Sequence, residues 1–177
     1  MEWYVDIVKS YPITSAMIQF AILGTTGDWI AKVIQNKKIF WPFSTKETIW
    51  KFIEWAILAI LIKVAFVGFK GFVDSVVATN LLPDIFAQKR HFLNAFTVSL
   101  TMNVQFGLLL VILHRFLDYL PFGKTNWQGI QKGFYSLLWF WIPAHTVTFM
   151  LPTEYQIGLA ALWSVMLGLL LGLFNRK

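Results

Sequence analysis

Asp28 and Lys63 carry the chemistry hardest to place in this 177-residue chain. Each is an ionisable group inside a long apolar stretch, Asp28 within residues 13–34 and Lys63 at the midpoint of residues 52–73. A charge at the centre of a membrane helix costs about 2.5–3.5 kcal/mol on insertion scales, so each marks a candidate site. On two antiparallel helices Asp28 stands six residues from the inner end of its run and Lys63 eleven, an offset of roughly 7 Å. Side chains lean toward their helix N-terminus, which brings these two toward each other. The pair has two readings, a buried link that fixes helix register or a pair of groups on a solute pathway. Glu54 is nine residues from Lys63 and so on the opposite face, and its neighbours Trp50 and Trp55 place it at a membrane interface.

Uncharged polar residues add to this pattern. Asn94, Thr97, Thr101 and Gln105 fall within about 80° of one helix face, with Ser99 and Asn103 on the other. Thr14, Thr25, Asp28 and Gln35 give the first run a similar stripe. A one-sided polar stripe on a membrane helix is expected to face protein or water. The plainer reading of any one Thr or Ser is an interhelical hydrogen bond. His145 sits inside an apolar run beside Pro143, where it reads as a hydrogen-bonded interior histidine or as a pathway residue. His91 and His114 are isolated, and no second ligand stands at metal-binding spacing from any histidine. There is no HExxH, Walker, nucleophile-elbow or dinucleotide-binding pattern, so no catalytic residue, metal or cofactor is expected and the chain does not read as an enzyme. Ala160, Ser164, Gly168 and Gly172 recur every four residues, a small-residue ridge that serves helix packing within the chain or between copies.

The elements that must position these residues are five apolar segments, residues 13–34, 52–73, 92–113, 134–151 and 155–174. Each is near the ~20 residues a helix needs to cross a ~30 Å hydrocarbon core. The chain is 57% hydrophobic, 18% aromatic and 14% charged, against roughly 25% charged in soluble domains, which excludes a water-soluble globule. The expected fold is all-α, a polytopic transmembrane helical bundle of four or five spans forming one domain over residues 1–177. Glu2 and Asp6 argue against a cleaved signal or transit peptide. With no cysteine there is no disulfide framework.

The net charge of +6 lies in the connections between runs, so it reads as a topology signal and not as a nucleic-acid footprint. With five spans one side holds Lys32, Lys37, Lys38, Lys46, Lys51, Arg115, Lys124, Lys132, Arg176 and Lys177. The other holds Lys9, Lys70, Lys89 and Arg90. Ten against four places the N-terminus outside; a re-entrant fourth segment, short and proline-containing, would make it eight against six. Ile39–Phe43, with Trp41 flanked by lysines, reads as an interfacial anchor, and residues 81–86 as a surface segment.

Together these features resemble the membrane-protein family of the twenty-two-kilodalton peroxisomal membrane protein and the mitochondrial Mpv-seventeen protein. Tyr11-Pro12 followed by Gly27-Asp28 is similar to that family's opening signature. Phe116-Leu117-Asp118 with Pro121 is a looser match. Trp141, His145, Thr148, Phe149 and Pro152 approximate its W-P-x-x-Q-x-x-N-F-x-x-x-P segment, and Trp163 falls in the last run, where the family also carries Trp. His145 and Thr148 stand where the family has Gln and Asn, and Pro143 sits one place later. The resemblance implies a channel-like pore of weak solute selectivity in a mitochondrial inner or peroxisomal membrane, usually drawn with four spans, and singles out Asp28.

The expected function is therefore passage of small solutes or ions across a lipid bilayer, with Asp28, Lys63, Thr97, Thr101, Gln105 and His145 near the pathway. Four or five helices normally fill their own interior, so an open wide pore would need a homo-oligomer or a loosely packed seam between helices. A structural or assembly protein, whose polar residues only specify packing, is the alternative. A transporter with a proline-broken fourth helix rests on Pro143 and His145 alone. Twelve Lys to three Arg and no cysteine favour a prokaryotic plasma membrane, whereas the resemblance favours an organelle.

Overall fold

The structure is a computed structural model that describes residues 2–123, Trp127 and 130–174, excepting the side chains of Phe122 and 170–174. Lys124, Arg176, Lys177 and the surroundings of Gly172 thus lie outside the described residues. Every described regular element is helical. The order is α1 (Glu2–Ser10), α2 (Pro12–Asn36), α3 (Thr45–Ala78), α4 (Phe92–Met102), α5 (Leu108–Tyr119), α6 (Ile130–Ser136), α7 (Ile142–Met150) and α8 (Thr153–Phe174). A π-turn over Asn103–Gly107 joins α4 to α5, and another over Leu137–Trp141 joins α6 to α7. All five apolar segments are therefore helical. Two helices, Thr45–Ala78 and the continuous Phe92–Tyr119, are long and apolar enough to cross a membrane. In α2 the residues Gln19, Gly24–Asp28 and Lys32 dilute the apolar content.

Local chemistry explains the ends. Pro12 opens α2, where its missing N–H costs nothing. Lys37 closes it in the left-handed region (φ 53°), with Lys37 N–H to Ile34 O and Lys38 N–H to Val33 O, the paired bonds of a Schellman stop. Asn80 (φ 59°) closes α3 in the same way. Between them Ser44 and Glu47 form a capping box: Ser44 N–H donates to Glu47 Oε2 at 2.7 Å and Glu47 N–H to Ser44 Oγ at 3.3 Å. These bonds hold the Glu47 carboxyl below its ordinary range. Ser44→Ala is expected to cost about 1 kcal/mol at neutral pH. A depressed carboxyl stabilises above its unfolded pKa, so Glu47's share should fade as acid protonates it; thermal melts of both proteins against pH check this.

The chain divides into two compact units, Met1–Ile60 with Ile157–Lys177, and Leu61–Gln156. In the first unit, Val8, Ala16, Phe20, Ala21, Leu58, Ile157, Ala160 and Ala161 are buried. Gln19 is a packing residue here. Its Oε1 accepts from Tyr4 OH at 3.1 Å, and its Nε2 donates to Ser15 O at 3.0 Å. In the second unit α4 packs along α7 and α5 along α6, around Phe66, Val98, Met102, Phe140 and Phe149.

The two π-turns lie against each other in that second unit, and each has an identifiable origin. Pro143 has no N–H and its ring crowds the carbonyl four residues back, so the ladder widens ahead of it. Ile142 N–H accordingly reaches back to Leu137 O. In the other turn, the Asn103 side-chain amide donates to Ser99 O at 2.8 Å and inserts itself into the helical ladder. The segment from Ile130 to Met150 consequently stays helical through Pro143 instead of breaking there.

Candidate functional site

The first unit holds a charged cluster built from α2 and the start of α3. Lys51 Nζ lies 2.7 Å from Asp28 Oδ2 and 3.9 Å from Glu54 Oε2, and 5.5 Å from the Phe43 ring centroid. Trp55 Nε1 donates to the same Asp28 oxygen at 3.1 Å. Glycine makes this possible: a Cβ on Gly24 would run into the Trp55 indole, so the ring lies flat on the α2 backbone and its N–H reaches Asp28 one turn on. Phe20 stacks on the same indole at 6.3 Å. The side chains of Asp28 and Lys51 retain 27% and 16% of their exposure, whereas Glu54 retains none.

Two expectations change here. The counter-ion expected for Asp28 was Lys63; the structure supplies Lys51, the seventh residue of α3, which stands one place before the apolar run. Glu54, expected at an interface, is fully buried, because it stands one turn from Lys51 on the face that α3 turns inward with Trp55 and Leu58. Lys63 is half-buried on α3, and the carboxylate whose charge acts on it is that of Glu154.

The second unit holds an uncharged polar cluster between α4 and α7. Asn103 Nδ2 lies 3.2 Å from His145 Nδ1; an amide N–H can only donate, so Nδ1 accepts. Ser99 Oγ donates to Ile142 O at 2.7 Å, which also takes the Thr146 hydroxyl at 2.7 Å. Aromatic rings line the His145 imidazole: it stacks on Trp141 at 5.0 Å and meets Phe66 edge-on at 5.5 Å. His145 is a satisfied interior residue. Asn103→Ala is expected to destabilise by about 0.6–2 kcal/mol, the range of interhelical polar contacts between apolar helices. Unfolding with His145→Phe as a second variant measures it.

The polar stripe of α4 is divided in the structure. Thr97 and Thr101 are half-buried and return their hydroxyls to Leu93 O (2.8 Å) and Thr97 O (2.7 Å), while Gln105 is exposed. The buried polar residues of this segment are Asn94, Ser99 and Asn103. A threonine that bonds its own helix has no need of a protein neighbour, so of the stripe only Asn94 is fully drawn inward. On α2, by contrast, Thr25 is buried and its hydroxyl has no hydrogen-bond partner among the described residues.

The small-residue ridge of α8 lies against α2 in the first unit. Ala160 and Ser164 are buried; a Cβ on Gly27 would lie 2.6 Å from Ser164 O, and one on Gly168 would strike the Gly27 backbone. Gly27 is thus placed by a backbone crossing and Asp28 by the cluster beside it. No protein-family model, curated protein or solved structure matches this chain.

Proposed function

We propose that this chain is a small polytopic integral membrane protein, crossing on its five apolar segments, that passes small solutes or ions. The observation that carries this reading is the Asp28–Lys51 ion pair, half-open at 27% and 16% side-chain exposure and backed by the fully buried Glu54. Charges held within apolar helices and still open to small species are the chemistry of an ion or solute path. The likeness of Tyr11-Pro12 and Gly27-Asp28 to the Mpv-seventeen signature supports the same function. The charge asymmetry favours an outside N-terminus, and a prokaryotic plasma membrane is the favoured location, with the mitochondrial inner or peroxisomal membrane as the alternative. A path wider than the seam between helices would be completed by other copies of the chain.

A structural or assembly role is the second reading, favoured by the closed Asn103–His145 cluster and the self-bonded Thr97 and Thr101. Planar-bilayer conductance and solute efflux from proteoliposomes separate the two. Conductance that changes with Asp28→Asn supports the path. A folded protein that adds no conductance or leak to clean vesicles leaves the structural role.

A further inference from the structure

Lys51 is held in an unusual way for a lysine at the start of an apolar helix. Its ammonium hydrogen-bonds one carboxylate (Asp28 Oδ2, 2.7 Å), stands at longer range from a second that is fully buried (Glu54 Oε2, 3.9 Å), and lies over an aromatic face (Phe43, 5.5 Å). A carboxylate, a second negative charge and a π-face are the elements that recognise an ammonium ion. The carboxylate is also fixed in place, because the Trp55 N–H donates to the same oxygen that Lys51 binds. Asp28 lies on α2, and the Trp55 indole of α3 rests against that helix where Gly24 has no side chain to push it away.

We infer that Asp28, Glu54, Trp55 and Phe43 form a recognition cage for monovalent cations of the ammonium class, and that Lys51 is its built-in occupant. The lysine is tethered by a flexible four-carbon stem, so its ammonium can leave while the cage stays in place. A cation of the same size and charge then takes the vacated position. Calcium asks for six to eight oxygen ligands, more than the carboxylates of Asp28 and Glu54 supply. An anion would meet two carboxylates. This inference rests on the proposed solute path for one consequence, that the solutes passed are ammonium-class cations competing with Lys51.

The full-length Lys51→Ala protein, purified in detergent and reconstituted in vesicles, tests both parts. Methylammonium chloride is compared with sodium chloride at equal ionic strength. The expected result is a rise in the unfolding midpoint of Lys51→Ala with methylammonium, growing with the logarithm of its concentration. The wild type, whose cage is filled, should show none, and Lys51→Ala/Asp28→Asn should lose it. Methylammonium flux through Lys51→Ala should exceed wild-type flux several-fold. Equal midpoints for Lys51→Ala in the two salts would overturn the cage. A methylammonium-specific midpoint shift with no flux through either protein supports the cage and removes the solute path. Should Lys51→Ala fail to fold, its refolding yield in the two salts reads the same contact, and equal yields overturn the cage.

Discussion

Gly168→Ala is expected to destabilise the protein by about 1–3 kcal/mol or more, the cost of forcing atoms into a filled interior. The added Cβ would be driven into the carbonyl, carbonyl carbon and Cα of Gly27, all backbone, so no side chain can rotate out of the way. Gly27→Ala should behave alike, since its Cβ would meet Ser164 O at 2.6 Å and Val165 Cα at 3.3 Å. Valine at either position should be worse than alanine. Glycine on a helix with open space beside it gives the contrast. Gly68 and Gly71 on α3 have nothing within 4 Å of an added Cβ. Gly71→Ala should therefore gain up to about 1 kcal/mol from helix propensity alone. Thermal unfolding of the three alanine variants in one detergent checks the opposite signs. Gly168→Ala as stable as wild type would remove the α2–α8 backbone crossing.

Lys51→Met is expected to cost about 1–3 kcal/mol. Removing one partner of a fully buried pair costs about 3–5 kcal/mol because the other charge is stranded. Asp28 keeps 27% of its side-chain exposure, so water screens part of the loss. Asp28→Asn should cost less than Lys51→Met, since the amide still accepts from Trp55 and Lys51 stays within 3.9 Å of Glu54. The double variant should fall short of the sum of the single losses by about 0.5–3 kcal/mol, the coupling of residues in direct contact. Strict additivity in chemical denaturation would show that the pair is not an energetic link.

Much of the helical framework was legible before folding. The five apolar runs are helical, whereas the Pro12 start and the Ser44–Glu47 capping box came into view only with the structure. Where helices stop was less legible: α3 extends to Ala78, beyond the apolar run, because charged residues such as Lys51 and Asp74 are compatible with a helix and end only the hydrophobic count. Pro143 was legible as a disturbance but not as a π-turn. Its effect depended on whether the ladder broke or widened, and packing against the Asn103–Gly107 turn accompanies the second outcome.

Partners and facing were decided by tertiary structure. On a helix that is apolar all round, periodicity does not tell a lipid-facing side from a protein-facing one, because both demand the same residues. Thr97 and Thr101 therefore looked like an interior stripe, and their own backbone satisfies them instead. Asp28 was legible as the residue to explain; its partner was not. Lys63 was the cation nearest the centre of the next run, but the long side chain of Lys51 and the gap left by Gly24 brought Lys51 and Trp55 to the carboxylate. By itself the sequence determined which residues are costly to bury, since that depends only on side-chain chemistry and its surrounding hydropathy. Which of them meet depends on helix rotation and on backbones approaching where glycine allows, and only the packed structure fixes those.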